Sequence, residues 1–215
     1  MDKDFIETII KSFASEGRIF ENEVQFQFGF AWRLREFLGD NVFILVEHRL
    51  SDKKDYTDLV VGTSDGMTAI EFKYRLADKS IIYKNHNNEI TTSAQGAPDI
   101  GCYGFLKDVE RLEKNKESSI ITQGYAIMIT NYPLIWGDGT RKGTNWELMC
   151  LRNKNTVGPG KIEWKKNPPR DDYKEAIELS NGYEIEWKDY KMNSVEEILD
   201  NGRIKHPFKY LVIEV

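Results

Sequence analysis

The sequence predicts a three-layer α/β/α domain, with a central mixed β-sheet between helices and an added β-rich C-terminal extension. Three observations predict it. An amphipathic helix over about 22–38 precedes three successive strands. A second amphipathic helix follows at 97–114. Residues 124–130, with Tyr125, Ile127, Met128 and Ile129, then form a near-continuous apolar run that suits a buried central strand.

Each element has its own signal. Phe5, Ile6, Ile9, Ile10 and Phe13 recur at helical spacing over 3–14. The 22–38 helix turns Phe26, Phe30, Leu34 and either Phe37 or Leu38 inward, and Gly39-Asp40 ends it. Residues 42–50, 57–63 and 67–75 read as strands, and 81–83 with 89–92 as a small hairpin around 85–88. In the 97–114 helix, Ile100, Tyr103 or Gly104, Leu106, Val109 and Leu112 face the core, leaving Asp99, Lys107, Asp108 and Arg111 to solvent. Beyond a basic stretch and Pro168-Pro169, residues 176–180 and 183–190 read as a second hairpin about Asn181-Gly182, a strong turn signal. Ser194 and Glu197 have the spacing of a capping box, which predicts a short helix over 194–200. A strand over 208–215 closes the chain. The expected division is a core over 1–135 and an extension over 136–215, carrying hairpin, short helix and final strand, packed on the same domain.

Composition narrows the classes. With 215 residues and 40% hydrophobic content, the chain can build one sizeable core. No run approaches the ~18 apolar residues that cross a membrane. The start, Met1-Asp2-Lys3-Asp4, lacks the pattern of a signal peptide. Cys102 and Cys150 make no disulfide framework, and His48, His86 and His206 have no zinc-site spacing. The expectation is a cytoplasmic protein without a membrane partner. The net charge of −5 is unevenly spread: 141–170 carries eight Lys or Arg against two Glu, and 171–200 carries ten acids against three Lys. The basic stretch either follows a phosphate backbone, with Arg141, Lys142, Lys161, Lys165 and Lys166 as contacts, or is a solvated loop.

The chemistry concentrates in 56–73. Asp65-Gly66 favours a tight hairpin turn. Pairing Ser64 with Met67 sets Asp58 opposite Lys73 and diagonal to Glu71. Alternation then puts Asp58, Val60, Ala69, Glu71 and Lys73 on one face and Leu59, Val61, Ile70 and Phe72 on the buried other. Two carboxylates and a lysine at one point can hold Mg²⁺ beside a phosphate. The same residues can equally be cross-strand charge pairs on a solvated face.

In element order and in this trio the chain resembles the PD-(D/E)xK nuclease superfamily, the restriction-endonuclease-like fold. Asp58 stands where that family has its first acid, and Glu71-Phe72-Lys73 matches (D/E)xK. The likeness spans about 22–130. Thr57 replaces the signature's proline, and Asp99-x-x-x-Tyr103 stands where one branch has Gln-x-x-x-Tyr. The resemblance implies a Mg²⁺-dependent DNA endonuclease, with Mn²⁺ as substitute, serving restriction, defence or a mobile element. It implies Asp58, Glu71 and the Phe72 carbonyl as metal ligands, Lys73 beside the attacking water, and a glutamate of the 22–38 helix reaching the metal through water: Glu23 has that placement, Glu21 competes for it, and either can instead be a plain helix-start acid. Cutting both strands implies a homodimer. The competing reading is a non-catalytic member of the fold that binds nucleic acid or a protein. A third is an interaction protein whose acidic 171–200 segment mimics DNA.

Overall fold

A computed structural model of the chain describes residues 1–50, 55–77, 80–85, 88–137, 149, 151–165, 171–192, 195–198 and 207–215. Helix α1 (Lys3–Ser15) starts on Asp2, whose side chain accepts from Phe5 N at 2.8 Å, and buries Ile6, Ile9, Ile10 and Phe13. Helix α2 (Glu23–Leu38) starts on Asn22, which accepts from Gln25 N at 2.9 Å. Gln25 reaches back to Glu21 N, and Gly39, at φ +69, ends the helix. Phe26, Phe30 and Leu34 are fully buried as expected; Leu38 packs against the core, while Phe37 is half exposed.

Strands β1 (Phe43–His48), β2 (Thr57–Thr63) and β3 (Gly66–Arg75) form an antiparallel meander. A small hairpin, β4 (Ile81–Asn85) and β5 (Asn88–Thr92), leads to α3 (Pro98–Glu117). The chain then returns as β6 (Gln123–Thr130), parallel to β3. Next come a short turn of helix, α4 (Pro133–Trp136), and strands β7 (Thr156–Val157), β8 (Gly160–Ile162), β9 (Ile177–Leu179), β10 (Tyr183–Glu184), β11 (Lys188–Asp189), β12 (Val195–Ile198) and β13 (Lys209–Glu214). Among the described residues the central sheet has six strands in the order β1-β2-β3-β6-β13-β11.

Alternation along β3 settles the layers. Phe72 packs its ring against Phe26 and Phe30 of α2, at centroid distances of 4.9 and 5.1 Å. Glu71 and Lys73 point the other way and meet Arg111 and Asp108 of α3. The sheet therefore lies between α1 and α2 on one side and α3 on the other: a mixed α/β fold of the α/β/α sandwich type, with further short strands in its C-terminal part. No described helix is long and apolar enough to cross a membrane.

Three expectations need correction. The β2–β3 register differs by two residues: Thr63 pairs with Gly66 and Leu59 with Ile70, so Ser64 and Asp65 form the turn. A shift of two preserves every face but sets Asp58 across from Glu71 and diagonal to Lys73. Gly66, at φ +122, follows the turn and lets Thr122 approach: a Cβ there would lie 2.5 Å from Thr122 Cγ2. Gly66→Ala should therefore cost about 1–3 kcal/mol through strain and overlap. Urea denaturation checks this, and an unchanged midpoint would contradict it.

The second hairpin does not form. β9 pairs with β8 and β10 with β7, while Glu113 of α3 gathers Ser180 N, Asn181 N, Asn181 Nδ2 and the Tyr183 hydroxyl. A buried acceptor on the helix outweighs the local turn preference. Nor is 195–198 helical: as β12 it extends the β4 edge, so that pairing overrides the capping pattern.

Candidate functional site

β2 and β3 pair as a ladder only as far as Leu59 and Ile70. Beyond that point alternate N–H groups along one edge of β3 need other acceptors. Asp58 Oδ2 accepts from Phe72 N at 2.7 Å, Glu23 Oε2 from Tyr74 N at 2.8 Å, and Gln95 Oε1 from Leu76 N at 3.1 Å. The fork between the strands thus draws in two carboxylates for backbone reasons. Asn22 caps α2 immediately before Glu23, which fixes the reach of that side chain.

Two cations and two further acids complete the cluster. Lys73 Nζ lies 2.9 Å from Asp108 Oδ2, 3.7 Å from Glu23 Oε1 and 3.1 Å from the Phe72 carbonyl oxygen. Glu71 is 1% exposed. Arg111 grips it with Nε 3.1 Å from Oε1 and Nη2 2.8 Å from Oε2, and the same Nη2 is 2.9 Å from Asp108 Oδ1. Four carboxylates (Glu23, Asp58, Glu71, Asp108) thus face two cations (Lys73, Arg111).

That imbalance marks the acids. Burial raises the Asp58 carboxyl to about 6, against the opposing pull of the Phe72 N–H and Lys73. Burial and the neighbouring Asp108 hold Glu71 well above the usual glutamate value despite Arg111. Burial also raises Glu23. Burial alone would lower the Lys73 ammonium, but Asp108 and Glu23 more than offset it, so Lys73 stays charged.

A consequence follows for stability. The folded Asp58 binds its proton more tightly than the unfolded residue does, so its contribution is greatest below the unfolded value near 4. It is lost as pH rises through about 6. In chelator, Asp58→Asn, which keeps an acceptor for Phe72 N, should melt higher than wild type at pH 7. The difference should vanish near pH 4. Thermal melts across this range check it; a variant no more stable at pH 7 would contradict it.

The structure brings Glu23, Asp58, Glu71, the Phe72 carbonyl and Lys73 together. Asp108 and Arg111, expected in solvent, are corrected: Asp108 is buried and both belong to the cluster. For Asp108 a signal was present in the sequence. Gly101, Phe105, Asp108 and Leu112 follow one helical stripe (i, i+4, i+7, i+11), so an acid interrupts an otherwise buried face. Tyr103 does not reach the site; its hydroxyl donates to the Glu175 carbonyl and its ring packs on Trp164. Of the basic residues, Arg141, Lys142 and Lys166 lie outside the described residues. Lys161 and Lys165 are exposed, and Lys161 pairs with Glu163 at 2.5 Å.

As ligands, the fork offers hard oxygens: the second Asp58 oxygen, Glu71 and the Phe72 carbonyl. These suit Mg²⁺ or Mn²⁺ in kind. Glu71 Oε2 is buried and meets Arg111 as a charge, without an aligned hydrogen bond, so it retains acceptor capacity. Among the described residues, no three His, Cys, Asp or Glu side chains stand together as a ready ion cage. No family model, curated protein or solved structure matches the chain.

Proposed function

We propose that this chain is a Mg²⁺-dependent phosphodiesterase of the PD-(D/E)xK, restriction-endonuclease-like type, with Mn²⁺ as substitute and DNA as substrate. One observation carries the reading. With all four ionised, Asp58, Glu71, Glu23 and Asp108 would exceed Lys73 and Arg111 by two negative charges at a buried strand fork, the charge of one divalent cation; without one, burial raises Glu23, Asp58 and Glu71 instead. The element order around the fork supports it: helix, three strands, helix, and a strand parallel to the third.

Asp58, Glu71 and the Phe72 carbonyl would hold the cation. When bound, it neutralises phosphate oxygens and makes a nearby water a better nucleophile. The chain's own residues do the rest. Glu23 and Asp58 pin the β3 backbone through Tyr74 N and Phe72 N, which fixes where Glu71 and Lys73 project. Lys73, held charged, stabilises negative charge developing on the phosphate, and is a poor base in this arrangement. A cleft of about 300 Å³ opens beside Thr57, and its wall carries Lys107, Arg111 and Lys114 together with Asp55, Glu110 and Glu175, of which Glu110 pairs with both lysines. Membership of this superfamily, a role in restriction, defence or a mobile element, a cytoplasmic setting and a homodimer for double-strand cutting belong to the same proposal.

A second reading has its own support. Arg111 already occupies Glu71, as it would in a member of the fold that only binds nucleic acid or protein. Incubation of plasmid and single-stranded DNA with Mg²⁺, Mn²⁺ or EDTA separates the two. Cutting that requires the cation supports the enzyme. Absence of cutting in every condition favours the binding module.

A further inference from the structure

Arg111 is the residue of this cluster that the Asp-Glu-Lys signature does not account for. It sits on the sheet-facing side of α3, donates Nε to Glu71 Oε1 at 3.1 Å and sets Nη2 as a charge 2.8 Å from Oε2. A guanidinium that hydrogen-bonds one carboxylate oxygen and sets its charge against the other is a charge-assisted pair. An ionised carboxylate as enclosed as Glu71 needs a counter-charge, and Arg111 supplies the one it has. Nη2 also holds Asp108 Oδ1 at 2.9 Å, so a second anchor, three residues back on the same helix, keeps the guanidinium at the site. Asp108 in turn holds Lys73 at 2.9 Å.

We infer that Arg111 is a resident counter-ion for Glu71, which a divalent cation must displace, and that Asp108 retains the released guanidinium. The inference rests on the metal reading proposed above. Glu71 Oε2 has acceptor capacity left, but the Arg111 guanidinium lies 2.8 Å from it, so an ion shared with Asp58 meets that positive charge unless Arg111 moves away. Among the described residues no three acids are gathered for an ion while Arg111 is in place. Displacement with retention also balances charge: the four carboxylates meet Lys73, Arg111 and one divalent cation, and the total is zero. Arg111 is thus a positioning residue. It orients Glu71 and sets how tightly the site takes its cation, without touching the substrate in this role.

The test is Mn²⁺ affinity by calorimetry, together with the melting temperature in EDTA, for wild type, Arg111→Gln and Arg111→Lys. Removing the competitor and its positive charge should lower the melting temperature in EDTA. It should also tighten Mn²⁺ binding by on the order of tenfold or more. Lysine keeps the charge but cannot bridge Glu71 and Asp108 as a fork, so Arg111→Lys should fall between the two and serves if the glutamine variant folds poorly. A residue that merely supported the fold would weaken metal binding when removed. Equal or weaker Mn²⁺ affinity in both variants, with wild type binding normally, would therefore overturn the inference alone. Absence of Mn²⁺ binding in all three proteins would instead remove the metal reading, and this inference with it.

Discussion

Glu71→Ala and Lys73→Ala are each expected to reduce cation-dependent DNA cleavage by at least about 10²–10³-fold. The two losses have different origins. Glu71 is the most enclosed acid of the fork, and its removal would take away a proposed ligand and leave Arg111 with Asp108 as its partner. The cation would bind weakly or off its position, so raising Mg²⁺ should recover little activity. Lys73 contributes a fixed positive charge beside the Phe72 carbonyl, 2.9 Å from Asp108. Its removal should leave cation binding nearly intact and lower kcat. Single-turnover cleavage over a range of Mg²⁺ concentrations distinguishes them. Full activity in either variant would remove that residue from the mechanism.

The largest effect on stability is expected at Phe72, between those two residues. Its ring is fully buried against Phe26 and Phe30 of α2 in edge-on contacts. Phe72→Ala deletes a buried aromatic from a packed cluster and should cost about 3–5 kcal/mol. The same backbone unit carries the N–H that binds Asp58 and the carbonyl near Lys73, so the variant should also cleave poorly under conditions where it is still folded. Urea denaturation measures the first effect. A loss below about 1 kcal/mol would mean that the α2–β3 interface repacks around the gap.

Much of the site was legible because period-two alternation survives errors of register. The expected turn was misplaced, yet a shift of two left Asp58, Glu71 and Lys73 on one face and Phe72 on the other. Glu23 was legible through the resemblance alone, with Glu21 in competition; the Asn22 cap, which places Glu23 at the start of α2, is a structural finding. Asp108 and Arg111 were expected in solvent, because a charged residue on a helix is ordinarily a solvent residue, and that expectation overrode the buried stripe through Asp108. Only the sheet beneath α3, which itself presents Glu71 and Lys73, gives them a reason to face inward. The expectations for 176–190 and 195–198 failed for a related reason. Their turn and capping signals are local, and their partners, Glu113 of α3 and the edge of β4, lie about 65 to 115 residues away in sequence. The basic residues Arg141, Lys142 and Lys166 fall outside the described part of the chain.

The central claim is that Asp58 and Glu71 hold one divalent cation at the fork. Calorimetric titration of Mn²⁺ into wild type and Glu71→Gln tests it without requiring the right nucleic acid. The account predicts one ion per chain in wild type, a higher melting temperature when it is bound, and loss of both in the variant. Binding in the variant as tight as in wild type, or no binding to wild type at millimolar Mn²⁺, would contradict it.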